Sequence, residues 1–111
     1  MAAPAYVRRA EAFIAAHAME PIRMAEIAAA AGCSVRTLGE AFRRFRGKTT
    51  LQVLHTIRLD QARAVLARGE AGLSVAQVAR RFGFTNAGRF NVAYQHLFGQ
   101  APAETLRRGS R

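Results

Sequence analysis

The chain has 111 residues and 17 Lys+Arg against 7 Asp+Glu, a formal charge of +10 in which every cation but Lys48 is Arg. Half of it is apolar, which excludes a disordered basic tail, and its longest apolar runs, such as Ile27 to Ala31, are too short for a bilayer span or a signal peptide. What remains is a single domain over 1–111, able to bury roughly two-thirds of its unfolded surface and basic enough to favour a polyanion partner.

Apolar periodicity is helical throughout, with no convincing alternation of strand type. A first helix starts near Pro4, which suits a first-turn position. It aligns Tyr6, Val7, Ala10, Phe13, Ile14 and His17 along one side, and Met19-Glu20-Pro21 breaks it. A second runs from about Met24 to Ala31 and stops at Gly32. Ser34 caps a third, in which Val35, Leu38, Phe42 and Phe45 share the stripe of a buried face and Gly47 ends the run. A long helix follows over about 50–68, burying Val53, Leu54, Ile57, Ala62, Val65 and Leu66. Ser74-Val75-Ala76-Gln77 reads as a capping box opening a fifth helix that ends at Phe82-Gly83. Asn86 caps a sixth, with Phe90, Ala93, Tyr94 and Leu97 inside and Gly99 at its end. Pro102 starts a short last helix, and Arg107 to Arg111 reads as a frayed tail.

Part of this pattern occurs twice, at an offset of 51 to 52 residues. Ile27-Ala28-Ala29-Ala30-Ala31-Gly32 matches Val78-Ala79-Arg80-Arg81-Phe82-Gly83. After a one-residue insertion, Ser34 aligns with Asn86, Leu38 with Phe90, Ala41-Phe42 with Ala93-Tyr94, Gly47 with Gly99 and Thr50 with Pro102. Ala28 and Ala79 suit a close helix crossing, and Gly32 and Gly83 suit the positive-φ residue of a tight turn. The repeated unit is a helix-turn-helix, over about 24–46 and again over about 75–98. The plainer reading is an αα-hairpin protein with repeated packing. Two departures weaken the repeat locally: Arg23 stands where Ser74 caps, and Thr50 stands where its partner is Pro102.

These residues carry a resemblance over nearly the whole chain. Ala25-Glu26-Ile27-Ala28 through Gly32, Ser34-Val35-Arg36-Thr37-Leu38 to Ala41-Phe42-Arg43-Arg44, Ile57-Arg58-Leu59-Asp60-Gln61-Ala62-Arg63, Ser74 to Ala79 with Gly83-Phe84, and Phe98-Gly99 with Pro102 together resemble the C-terminal DNA-binding domain of the AraC/XylS family of bacterial transcription regulators. The resemblance implies an all-α fold of seven helices, with two helix-turn-helix units joined by the long fourth helix. It implies two second helices in successive major grooves of double-stranded promoter DNA, regulation that is usually activation, RNA polymerase as a partner and a cytoplasmic, nucleoid-associated protein. Any effector would act through an N-terminal domain that 111 residues cannot hold. The opening Tyr6 to Glu11 looks like mid-protein sequence, so an excised domain is expected over a stand-alone small regulator. A linker helix of about 19 residues is roughly 28 Å long at 1.5 Å per residue, approaching the ~34 Å between successive major-groove faces.

With the inner stripe buried, the third helix presents Arg36, Thr37, Gly39, Glu40, Arg43 and Arg44. Arg36, near its start, suits a bidentate contact to guanine, and Thr37 a thymine methyl or a phosphate. Arg43, Arg44, Arg46 and Lys48 suit phosphates, fixing register rather than sequence; the alternative for any one of them is a solvated helix face. Glu40 stands where relatives often carry a long basic or amide side chain. It either accepts from cytosine N4 or pairs with Arg36 or Arg44. Gly39 offers close backbone approach or nothing. Ser34 and Asn86 complete the two sets as caps at the DNA-facing helix starts. The sixth helix presents Gly88, Arg89, Asn91, Val92 and Gln95: Asn91 or Gln95 for adenine, Val92 for a thymine methyl, Arg89 for guanine or phosphate. His96 suits a phosphate or a solvated position. Residues 36–48 hold five cations and one anion, whereas 86–98 hold one Arg and His96, so the first unit is expected to dominate affinity.

The remaining reactive residues take plain readings. Cys33 is the sole cysteine, which excludes an internal disulfide and fits a reducing compartment; it reads as a small hydrophobe in the turn. With three dispersed histidines it gives no zinc spacing, and His17 and His55 read as helix-face or core residues. No carboxylate pair, nucleophile–base pair or phosphate-binding glycine loop is present. Neither catalysis nor a metal or cofactor is expected. The competing function class is a non-specific architectural nucleic-acid binder, for which +10 alone suffices; a membrane-lying domain fits the short interrupted helices poorly.

Overall fold

A computed structural model describes residues 2–111, and among them every regular element is helical. In chain order the helices are α1 (Ala5–His17), α2 (Met24–Ala31), α3 (Val35–Arg46), α4 (Thr50–Ala67), α5 (Val75–Arg81), α6 (Ala87–Phe98) and α7 (Pro102–Gly109). The chain divides into two compact units, 1–57 and 58–111, with the division inside α4. No helix is long and apolar enough to cross a membrane, and no group of three or more His, Cys, Asp or Glu is placed to hold a metal ion, among the described residues.

In the first unit, Val7, Ala10 and Ile14 of α1 pack with Ile27, Ala28 and Ala31 of α2, Leu38, Ala41 and Phe42 of α3, and Val53 and Leu54 of α4. Burial of these apolar side chains is the main favourable term in holding three short helices together, since none is long enough to persist alone. Tyr6, Phe13 and His17 are half-buried at the edge. Pro4 proves to be the N-cap of α1 rather than its first residue. Gly32 closes α2 with φ +83°, and its N–H donates to Ala28 O at 2.9 Å. Arg9 of α1 reaches this turn, donating from Nε and an Nη to Ala31 O at 3.1 and 2.7 Å. It satisfies a carbonyl the helix leaves open at its C-terminus.

The second unit repeats the arrangement around Leu59, Ala62, Leu66, Val78, Ala79, Phe82, Phe90 and Tyr94. Phe84, Phe90, Tyr94 and Phe98 form a run of ring contacts with centroids 4.7–5.7 Å apart. Gly83 again has φ +83°, and a Cβ there would lie 3.3 Å from an Arg58 guanidinium nitrogen. Arg58 thus lies against this turn as Arg9 lies against the other, which extends the repeat to the preceding helix. Burial lowers the pKa of Arg58.

Four expectations need correction. Val35 is 47% exposed and Leu97 40%, so neither belongs to the inner stripe of its helix. At the end of α6 the inward position falls to Phe98, whose ring Tyr94 meets at 4.7 Å and over which Arg63 sits at 4.7 Å. On α4, Leu59 is buried where Ile57 is only half-buried. Residues 107–111 are not a frayed tail: α7 continues to Gly109. Its end is tied down by Ser110 Oγ, which donates to Gly69 O at 3.3 Å and to Leu106 O at 3.0 Å.

Candidate nucleic-acid interface

The two second helices start from side-chain caps. Ser34 Oγ accepts from the Thr37 N–H at 3.1 Å and donates to Thr37 Oγ1 at 3.0 Å. Asn86 Oδ1 accepts from the Arg89 N–H at 3.0 Å. Both caps therefore hold the helix start, and the Ser34 and Thr37 hydroxyls are already engaged with each other. A Cβ at residue 88 would lie 3.1 Å from Asn86 Oδ1, so Gly88 leaves room for the cap. Helix α2 lacks such a cap, because an Arg side chain cannot accept; Glu26 alone compensates, accepting from the Arg23 N–H at 3.0 Å.

The exposed side of α3 borders an open depression of about 360 Å³ lined by Met24, Val35, Arg36, Gly39, Glu40, Arg43, Thr49, Thr50 and Leu51. Arg36, Gly39, Glu40 and Arg43 are thus brought together, as the helical spacing implies. Within the set, Arg36 Nε donates to Glu40 Oε1 at 3.2 Å. Thr37, Arg44, Arg46 and Lys48 do not line it. Arg44 lies over the Phe45 ring, 5.4 Å from the centroid. Lys48 Nζ donates to Thr56 Oγ1 at 3.4 Å. Arg46 makes a two-pronged bond to Glu11 of α1, Nε to Oε2 at 2.7 Å and Nη to Oε1 at 2.9 Å. Hydrogen bonding to that carboxylate raises the Arg46 pKa. Of the five cations on residues 36–48, two are accordingly paired with carboxylates.

On α6 a wider depression of about 650 Å³ is lined by Asn86, Gly88, Arg89, Val92, Ala93 and His96. Asn91 and Gln95 do not line it; Asn91 is half-buried and Gln95 exposed. Val92 is the most exposed large apolar side chain among the described residues, at 71%. The two depressions differ in chemistry: two arginines and a glutamate along α3, one arginine and mostly small or apolar groups along α6.

Sequence reasoning misses Val35, Met24 and the 49–51 segment. Val35 is the first residue of α3, and its Cβ points back beyond the helix, where no further turn covers it. The repeat holds a usable signal, since Val35 aligns with Ala87 and the core therefore needs no large side chain there.

A family model described as a helix-turn-helix domain matches residues 27–108. A probable AraC family transcriptional regulator from Rhodopseudomonas palustris has a crystal structure that superposes with a TM-score of 0.87 at 35% identity, covering 96% of this chain and 98% of that one. The chain belongs to the AraC/XylS family. Its members are helix-turn-helix DNA-binding transcription regulators, not a family of enzymes. A probable thc operon regulatory protein from Rhodococcus erythropolis is 39% identical over 107 residues, 96% of this AraC-family chain. This chain spans 32% of the length of that relative. The DNA-binding domain of the global transcriptional factor AdpA, solved in complex with a target DNA, superposes with a TM-score of 0.76 at 29% identity, covering 94% of this chain and 92% of that one.

Proposed function

We propose that this chain binds double-stranded promoter DNA sequence-specifically as one AraC-type domain and controls transcription in the bacterial cytoplasm, most often as an activator that works with RNA polymerase. The observation that carries the reading is the doubled unit: two helices, α3 and α6, each capped at its start and preceded by a glycine turn, each bordering an open depression that holds arginine. A merely electrostatic binder needs neither the duplication nor two chemically different faces. The AdpA relative, solved with DNA, supports the same reading.

In this proposal α3 and α6 enter successive major grooves. Arg36 and Glu40 read bases with α3. Arg43, Arg44 and Lys48 hold phosphates, while Arg46 is withheld by Glu11. On α6, Arg89 and Val92 are the base-facing residues, Asn91 and Gln95 lie to the side of them, and His96 meets the backbone. Effector control, where present, comes through an N-terminal domain of the intact regulator.

Selection of binding sites from a random-DNA pool tests this. Two enriched half-motifs spaced by about one helical turn, ~10 base pairs, are the expected outcome. Recovery without any enriched sequence would leave only non-specific polyanion binding.

A further inference from the structure

Glu40 is the one anion between Arg36 and Lys48, and it borders the depression along α3. An exposed carboxylate facing phosphate-rich DNA lowers affinity on every sequence unless a base offsets it. Its geometry shows how one does. Arg36 gives Nε to Glu40 Oε1. A guanidinium so held keeps its two terminal nitrogens as an outward fork, the shape that meets O6 and N7 of guanine. The carboxylate retains acceptor capacity on Oε2 for the exocyclic amine of a neighbouring cytosine or adenine.

Of the two other cations about one turn from Glu40, Arg43 borders the same depression but the carboxylate pairs with Arg36, and Arg44 is drawn over Phe45. The space beside the pair is clear. A Cβ on Gly39 would find Thr50 Oγ1 at 3.9 Å as its nearest neighbour, so internal packing does not require glycine at this position.

We propose that Glu40 determines sequence specificity: it positions Arg36 end-on for guanine and rejects duplexes that offer no amine donor beside that guanine. This rests on the reading of α3 as a DNA-binding helix. Glu40 lowers affinity for all DNA while raising the difference between right and wrong sequences, which is how repulsion serves selection.

The test is a fluorescence-anisotropy titration of wild type, Glu40→Ala, Arg36→Ala, the double variant of these two and Arg43→Ala at one salt concentration. The probes are the selected duplex, its single-base-pair variants in the α3 half-site and a random duplex. Both side chains are exposed, so thermal melts should match wild type closely. Glu40→Ala is expected to bind the random duplex several-fold more tightly and to lose about tenfold of its preference for the selected one, the scale of one base-specific pair. Arg36→Ala should lose tenfold or more on the selected duplex, and the double variant should lose no further preference. Glu40→Ala shifting every duplex by the same factor would overturn the proposal. If Arg36→Ala and Arg43→Ala both bind the selected duplex as wild type does, the assignment of α3 to DNA itself falls, and this inference with it.

Discussion

Arg46 shows how a single carboxylate redirects a cation. From composition it belongs with Arg43 and Arg44 as a phosphate ligand, yet its Nε and one Nη are held by Glu11, 35 residues earlier in the chain, and the other Nη donates to Phe45 O. Two-pronged pairing of this kind is the stronger form of surface ion pair, though in water it is worth only about 0.5 kcal/mol or slightly more. Arg46→Ala is therefore expected to lower the melting temperature by a few degrees and to leave DNA affinity within about twofold. Glu11→Gln should do the opposite for binding. Freed of its partner, Arg46 raises affinity for any duplex several-fold and steepens the salt dependence, because one more cation is then available to displace counterions. Paired titrations and melts of the two variants check this. A loss in Arg46→Ala as large as that in Arg43→Ala would return Arg46 to the phosphate-binding set.

At the scale of elements, α7 is held by chemistry that its own sequence barely signals. Tyr94 of α6 is fully buried, and its hydroxyl lies 2.7 Å from Thr105 Oγ1 of α7. That hydroxyl donates to Gln100 Oε1 at 2.9 Å, so Tyr94 is the donor to Thr105. Burial pushes the Tyr94 pKa up, with the Thr105 bond and the Arg63 charge acting the other way. The unfolded phenol ionises near pH 10 while the folded one resists. The contribution to stability is therefore whole below about pH 10 and is lost as pH rises through the folded value. Tyr94→Phe should cost about 1 kcal/mol at pH 8, the worth of one buried hydrogen bond, yet lose less stability than wild type between pH 8 and 11. Urea melts at the two pH values decide it, and equal alkaline losses would point to another group. The helix itself was legible from Pro102, whereas its continuation past Arg107 was not. Arg107 to Arg111 looks like a tail by composition, and what orders it is a close approach of Gly109 to Gly69 and Ala67 that leaves no space for a Cβ. The start of α4 near residue 50 was legible from periodicity, and a capping box fixes it: Thr49 and Gln52 exchange bonds at 3.1 and 2.8 Å, the same box as Ser74 and Gln77.

For the molecule as a whole, the charge of +10 has to be reckoned after pairing. Periodicity and the internal repeat made the helices and the two outward faces legible, because local spacing sets which side chains share a face. Helical spacing left pairing of Glu40 with Arg36 as one of two alternatives, but it could not show that Arg46 is spent on Glu11, which lies on another helix. On α3 and its exit, pairing of Arg36 with Glu40 and Arg46 with Glu11 leaves Arg43, Arg44 and Lys48 without a carboxylate partner among the ion pairs at these residues. On α6 the corresponding stretch has Arg89 and, when protonated, His96. The first unit therefore still carries more of the charge available to DNA, by a smaller margin than the count of five against one implies. Arg43→Ala should weaken binding to selected and random duplexes alike and lower the slope of log affinity against log salt by about 0.9, the contribution of one phosphate contact. Arg36→Ala should weaken the selected duplex most and leave that slope nearly unchanged, as a base contact does. Arg89→Ala should fall short of both on the selected site. Titrations between 50 and 200 mM salt (roughly the range over which counterion release dominates) measure all three. If Arg89→Ala proves the most damaging, affinity is centred on the second unit, and α6 rather than α3 anchors the chain on its site.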